Sequence, residues 1–446
     1  MKNNEQQTVG MVSLGCSKNQ VDAEKMLAEL QANGFAITGN QWDANAVIIN
    51  TCGFIEDAKR EAIENILEVV AQKKEGRLKA VIVTGCLAER YRDQIQEEIP
   101  EVDVVVGIGA NGNIAQIVKD ALLGNPKNAY GEKTDFSLEG ERILTTPFYT
   151  AYLKIAEGCD NCCTYCAIPK IRGHFRSRRM EDIVAEAETL AAQGVKELVV
   201  IAQDTTRYGE DLYGEARLCE LLQALTEIPG IDWVRTLYTY PERITDALIA
   251  LVAQNEKLVK YFDIPIQHCN DRILKKMNRR SDKASLEALL HKLRTAIPGI
   301  TLRTTLITGF PGETEEEFAE LCSFVAEHKF DRLGCFAYSP EEDTPAAEFD
   351  GQLEEQVKVD RAETVMQQQM RVVEEKNLAK FGTKQQVLIE GYDDYIKCYF
   401  GRSQCDAPEV DGKIFFMSDI PLKIGEFAMV QINDCIEYDL LGERIK

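Results

Sequence analysis

Six cysteines carry most of the chemistry this chain can do, and three of them share one loop. Cys159, Cys163 and Cys166 are spaced Cys-x-x-x-Cys-x-x-Cys. Three thiols so close in the chain cannot all pair as disulfides. As thiolates they are the soft ligands that an iron–sulfur cluster takes. A cubane cluster has four irons, so three protein ligands leave one iron open to an outside molecule. An open iron is a place for chemistry as well as for electron storage. The alternative is a structural zinc loop, which requires four protein ligands. The available fourth donors are Cys162, directly beside Cys163, and His174, eight residues past Cys166.

The other three are Cys16, Cys52 and Cys86. Each follows a short apolar run that reads as a strand: residues 9–14, 46–50 and 80–84. Residues 104–106 read as a fourth strand. Helical patterns lie between them, with Val21, Met26, Leu27 and Leu30 on one face, then Ala62, Ile63, Ile66 and Val69. Strands alternating with helices predict a parallel, doubly wound α/β domain over residues 8–123. All three cysteines then fall just beyond the C-terminal ends of strands, the edge where such sheets bind ligands. Together they would form a second three-thiolate site. Taken singly, each could be a small buried hydrophobe.

Residues 124–147 form a connector rich in Gly, Asn, Lys and Glu. Residues 148–350 hold six strand-like runs separated by helical patterns: 151–155, 197–201, 233–238, 261–265, 302–307 and 333–338. Six βα units predict a partial (βα)6 barrel, two units short of a full one. Polar residues collect at the C-terminal ends of these runs, Gln203 and Asp204 among them. The Cys159 loop follows the first run and therefore opens onto the same mouth. Residues 351–380 connect onward through one long helix, with Val357, Ala362, Val365, Met366, Met370 and Val373 near one face. Residues 381–446 show short alternating runs and predict a small β-barrel. That stretch has seven Lys and Arg against twelve Asp and Glu.

The bulk composition narrows the partners. The chain has 446 residues, 45% hydrophobic, with a net charge of −22. Its longest apolar runs, such as residues 198–202, are far too short to cross a bilayer. No apolar signal core stands at residues 1–7. A cytoplasmic protein with no membrane partner is expected, and its fourteen cysteines then read as metal ligands and buried thiols. Nucleic-acid binders usually show a basic face, whereas this balance favours a basic protein.

The Cys159–Cys163–Cys166 spacing resembles that of the radical S-adenosylmethionine enzymes. With the scattered cysteines before it and the small β-barrel after it, the whole chain resembles their methylthiotransferase family. The resemblance implies a central radical SAM barrel, a C-terminal TRAM-type barrel and S-adenosylmethionine as cofactor. It also implies two 4Fe–4S clusters, one on Cys16, Cys52 and Cys86 and one on Cys159, Cys163 and Cys166. Tyr165 would pack beside the adenine, Ile307 would lie on the strand that reads it, and Gln203 and Asp204 would hold the methionine amino group. Ordinary barrel-rim residues are the alternative for those polar positions. Arg172, Arg176, Arg178 and Arg179 could contact carboxylates or substrate but read best as an exposed basic loop, and His268 reads as a packed strand-end residue rather than a ligand.

The family chemistry is reductive cleavage of S-adenosylmethionine to a radical, hydrogen abstraction from an unactivated carbon, and delivery of a methylthio group held at the second cluster. An electron donor and a sulfur source are also required. Residues 401–412 resemble the branch acting on the β-carbon of an aspartate in the twelfth protein of the small ribosomal subunit. A basic small-subunit ribosomal protein is therefore the expected substrate, met by Asp406, Glu409 and Asp411. Methylthiolation of a tRNA adenosine is the alternative, and a non-catalytic iron–sulfur electron carrier is a third reading.

Overall fold

The computed structural model describes residues 6–445; the polar residues 1–5 and Lys446 lie outside them. The first domain is built from β1 (Thr8–Ser13), α1 (Ser17–Ala32), β2 (Ala36–Thr38), β3 (Ala46–Thr51) and α2 (Glu56–Lys74). It continues through β4 (Ala80–Gly85), α3 (Cys86–Glu98), β5 (Val104–Val105) and α4 (Ile114–Leu122). The strands form one parallel sheet in the order β2-β1-β3-β4-β5. β3 and β4 are buried along their whole length, which is why they read as unbroken apolar runs. Met26 and Leu30 of α1 pack with Ile114 and Val118 of α4 on one face; Ile66 and Val69 of α2 pack with Leu87 and Ile95 of α3 on the other. The sheet is therefore doubly wound. Its strand order reverses between β1 and β3, so Cys16 and Cys52 flank the switch point where such sheets bind ligands. β2 is too short and too weakly alternating to stand out in the sequence. Ile63, expected on the buried face of α2, is 42% exposed.

The connector carries no helix and winds back over α1, where Ile143 N donates to Glu24 O at 3.1 Å. The six expected barrel strands follow: Thr150–Lys154, Glu197–Ile201, Trp233–Thr236, Tyr261–Asp263, Thr301–Thr308 and Arg332–Ala337. All six run parallel in chain order as two three-stranded sheets, joined by a bridge between Val234 and Leu258. The arc does not close. α1 packs on its first strand and the helix Glu355–Leu378 on its last. That helix turns Ala362, Val365, Val372 and Val373 inward; Met370, expected with them, is 52% exposed. Among the described residues no helix is long and apolar enough to cross a membrane.

The C-terminal barrel is closed, with neighbours Lys384–Asp393, Cys398–Arg402, Ile414–Met417, Asp439–Arg444 and Phe427–Ile436 in that order. The strand Asp439–Arg444 is not evident in the sequence. It closes the barrel by pairing parallel with Ile414–Met417.

Residues 402–412 of this barrel plug the bottom of the central one. Arg402 Nη2 donates to Glu197 Oε2 at 2.7 Å, and its Nε donates to Glu390 Oε1 at 2.6 Å. Arg235 donates to Glu197 Oε1 at 2.8 Å and to the Gln404 carbonyl at 2.9 Å. Asp406 pairs with Arg332, Tyr261 Oη donates to Asp411 at 2.7 Å, and Tyr152 Oη donates to Glu409 at 3.0 Å. This corrects the expectation that Asp406, Glu409 and Asp411 together meet a partner. Asp406 and Asp411 are buried in these pairs, whereas Glu409 keeps an exposed side while it accepts from Tyr152.

Burial by itself would push the Glu197 carboxyl up; Arg402 and Arg235 outweigh it and hold it at about 2. A depressed carboxyl stabilises the fold fully above its ordinary value and loses that contribution as pH falls through the folded value. Arg402→Met leaves Glu390 without its arginine and Glu197 with Arg235 alone, and is expected to cost about 3–5 kcal/mol. The midpoint of denaturant unfolding at neutral pH checks this. The deficit should shrink as pH falls from about 4.5 to 2, because the unfolded chain takes up a proton at Glu197 over that window while the folded parent keeps it ionised until about 2.

Candidate active site

The Cys159 loop follows the first barrel strand and is held at both ends. Cys159 N donates to the Gly173 carbonyl at 3.1 Å, and Thr164 Oγ1 donates to the Lys276 carbonyl at 2.8 Å. Asn278 Nδ2 reaches the Cys162 carbonyl at 2.9 Å. Gly158 enters the loop at φ 81°, and a Cβ there would stand 2.1 Å from the His174 carbonyl oxygen. No other residue fits that approach.

Within the loop, Cys163 is buried and its Sγ lies 2.8 Å from Tyr240 Oη. The Tyr240 ring is covered by the Arg279 guanidinium at 3.9 Å. Burial pushes the Cys159 thiol up to about 12 and Cys166 higher still. Neither thiol ionises without a metal to take the charge. Cys162 is exposed at a positive φ of 51°, whereas Cys163 beside it is buried.

Cys16, Cys52 and Cys86 stand together at the C-terminal edge of the first sheet. A Cβ on Gly15 (φ 89°) would lie 3.0 Å from Cys52 Sγ, so only glycine lets the Cys16 turn pass this close. Cys86 packs against Ala167 and Ile171, which directly follow the Cys159 loop. The two thiol sets are thus neighbours across the interface between the first domain and the barrel mouth. Burial raises the Cys52 and Cys86 thiols, Cys86 to about 12. Cys16 is exposed at the surface, and Lys18 and Arg172 outweigh the desolvation around its thiol and lower it. The setting is electropositive and suits an anionic group.

Among the described residues, no three His, Cys, Asp or Glu side chains are gathered closely enough for one metal ion. A zinc site requires four donors around one ion. A cubane takes one thiolate per iron, so three thiols are a donor set that suits a cubane with one open iron rather than a closed zinc site.

The expected cofactor residues also collect at the mouth. Tyr165 and Ile307 both pack on the cluster of Ile273, Met277, Phe310, Tyr338 and Ala346. Gln203 Nε2 donates to Glu157 Oε1 at 2.6 Å, while its Oε1 is buried with no partner. An acceptor left open there matches an incoming ammonium group. Asp204 is fully buried. One oxygen accepts from Thr206 N at 3.1 Å and Oγ1 at 2.6 Å, the other from Asn161 Nδ2 at 2.9 Å. It therefore braces the cysteine loop through Asn161. His268 is buried and accepts from Asn270 N at 2.9 Å, a packed strand-end residue as expected.

Family models match the chain in three blocks. Residues 8–107 fit the Uncharacterized protein family UPF0004, residues 153–325 the Radical SAM superfamily, and residues 381–445 the TRAM domain. A relative from Desulforamulus reducens, named Ribosomal protein uS12 methylthiotransferase RimO, is 51% identical over 98% of this chain and 99% of its own. One of the same name from Pelotomaculum thermopropionicum is 52% identical over the same shares. The chain belongs to the RimO methylthiotransferase family. As a radical SAM enzyme it carries a 4Fe–4S cluster and uses S-adenosylmethionine. Among solved structures, the radical S-adenosylmethionine methyltransferase TsrM from Kitasatospora setae, with cobalamin and a [4Fe-4S] cluster bound, shares the fold. It gives a TM-score of 0.58 at 14% identity over 76% of this chain and 77% of that one.

Arg172 and three residues given no role from the sequence, Asp22, Lys154 and Glu157, sit between the thiol sets. Lys154 donates to Asp22 and, at 2.7 Å, to Glu157; Arg172 donates to both carboxylates. All four are at least 95% buried. Arg172 and Arg178 are therefore not part of an exposed basic loop. The signal lay in α1, where Lys18, Asp22 and Lys25 recur at helical spacing on a buried face, and in Lys154 within an apolar strand.

Gly158→Ala is expected to drive the 159–166 loop off its seat, destabilising the protein by about 1–3 kcal/mol. Hydrogen exchange checks it: amides 159–166 should exchange faster, while those of the C-terminal barrel stay unchanged.

Proposed function

We propose that this chain is the enzyme that adds a methylthio group to the β-carbon of an aspartate in ribosomal protein uS12. The full-length identity of about one half to relatives of that name supports this reading. The observation that carries it from the molecule itself is the presence of two three-thiol sets side by side at one barrel mouth. A carrier would need no barrel, and a single-cluster radical enzyme would need no second set.

Cys159, Cys163 and Cys166 would hold the cluster that works with S-adenosylmethionine, and Cys16, Cys52 and Cys86 a second 4Fe–4S cluster. When bound, these groups supply one-electron cleavage of a carbon–sulfur bond and a site for sulfur. The residues do the aiming. Gln203 Oε1 accepts the methionine ammonium, and Tyr165 and Ile307 wall the adenine. Asp204 holds the loop through Asn161, and Tyr240 Oη donates to the Cys163 sulfur. The first domain caps the mouth through Arg90, 3.0 Å from Glu341, and through Lys18, 3.2 Å from the Tyr238 ring centre. That cap keeps water from the reacting carbon.

The substrate is basic by this reading, and the acidic chain attracts it. Docking falls to the far end of the C-terminal barrel. There the turn before Cys398 and the segment after Phe416 lie side by side, exposing Tyr395, Ile396, Met417 and Ile420 with Asp394 and Asp419. A ribosomal substrate also sets the work in the cytoplasm.

Three outcomes check this. Mass spectrometry of uS12 and of tRNA nucleosides, from cells with and without this protein, should find a methylthio group lost from uS12 alone; loss from tRNA instead would sink the reading. Cys16, Cys52 and Cys86 replaced together by alanine should halve the iron of anaerobically reconstituted protein, and Cys162→Ala should keep it. Asp394→Lys with Asp419→Lys should weaken uS12 binding several-fold at low salt and less at high salt. Cleavage of S-adenosylmethionine without substrate should persist in that variant.

A further inference from the structure

Arg172 lies six residues beyond the last loop cysteine, but its contacts are with the first domain. Its Nη2 donates to Cys86 Sγ at 3.3 Å and to Asn19 Oδ1 at 3.1 Å. Its Nη1 donates to Asp22 and, at 3.3 Å, to Glu157 Oε2. Asn19 is itself fixed, with Nδ2 donating to the Leu14 carbonyl at 2.7 Å, two residues before Cys16. The guanidinium is 2% exposed, so no water competes for the sulfur. Two carboxylates grip one end of the planar fork and leave the other aimed at a thiol. Lysine, a point charge on a flexible stem, cannot serve both ends.

A fixed, charge-assisted donor at a ligand sulfur favours the more negative state of any cluster bound through that sulfur. It raises the reduction potential, and it does so more strongly in a dry site. Lys18 adds charge beside Cys16, but its Nζ is seated over the Tyr238 ring and does not supply the hydrogen bond that Arg172 makes to Cys86.

We propose that Arg172 is the positioning residue that raises the reduction potential of the N-terminal cluster, through its hydrogen bond to the Cys86 sulfur. The inference rests on the reading that Cys16, Cys52 and Cys86 hold a cluster. The role is distinct from binding iron: the arginine sets how readily that cluster accepts an electron when the neighbouring one is reduced.

The test uses the full chain with Cys159, Cys163 and Cys166 replaced by alanine, reconstituted anaerobically with iron and sulfide. In that parent any cluster is the N-terminal one. Arg172→Lys is compared with it, as is the charge-balanced double variant Asp22→Asn with Arg172→Gln. Iron per chain and the midpoint of a dithionite titration followed by electron paramagnetic resonance are measured for each. Both variants should hold the parent's iron and titrate at a more negative midpoint, the double variant further than Arg172→Lys. An unmoved midpoint in either loaded variant overturns the proposal and leaves the cluster site standing. Loss of iron from both variants, with far-UV circular dichroism intact, overturns it too, making Arg172 a strut for the cysteine turns. A parent that takes up no iron removes the N-terminal site itself.

Discussion

The buried quartet of Asp22, Lys154, Glu157 and Arg172 is the constraint on which the rest of this molecule depends. Two positive and two negative groups meet where water cannot reach them. Taking such charges out of water costs several kcal/mol each, and their mutual attraction offsets that cost only in one arrangement. The quartet therefore works as a register between domains. Asp22 belongs to the first helix, Lys154 and Glu157 to the start of the barrel, and Arg172 to the helix after the cysteine loop. If the first domain slides, at least one charge is left alone in the interior. Because Cys16 precedes Asp22 by six residues and Arg172 touches Cys86, the same register fixes one thiol set against the other.

A second set of buried charges does the same at the opposite end of the barrel. Glu197 lies between Arg235 and Arg402, and Arg332 meets Asp406. The two ends differ in what surrounds the ions. At the mouth the neighbours are thiols and an open Gln203 acceptor, so the network borders chemistry. At the bottom they are Tyr149, Tyr152, Trp233 and Tyr261 packed on Leu388 and Ala407, so the network borders a core. The C-terminal barrel is thus a rigidly seated module. Its free end is open to solvent, with Tyr395 95% exposed.

Much of this was legible in the residues. The parallel sheets bury β3, β4 and the barrel strands on both faces, and so write unbroken apolar runs into the chain. The position of each cysteine just past a strand end followed from those runs. The short β2 and the closing strand Asp439–Arg444 left no such mark, because pairing with distant neighbours decides them. Met370 and Ile63 were misplaced for a related reason: helical spacing gives a face, and only packing says how wide the buried part of it is.

The roles of the polar residues separate most clearly. Local spacing by itself determined the thiol loop, because Cys159, Cys163 and Cys166 lie within one turn-rich segment whose reach is set by the backbone. It could not determine what Arg172 does. Its partners Asn19 and Asp22 lie about 150 residues away, and Cys86 lies 86 away. The same loop sequence would suit an arginine in water. Docking of the first domain over the barrel mouth removes that water from Arg172; the connector and barrel turn Arg178 inward, Asn161 and Thr206 commit Asp204 to the loop, and Arg332 holds Asp406 at the opposite end. A charge in sequence has no environment; the tertiary structure supplies one, and the desolvation that comes with it decides the role.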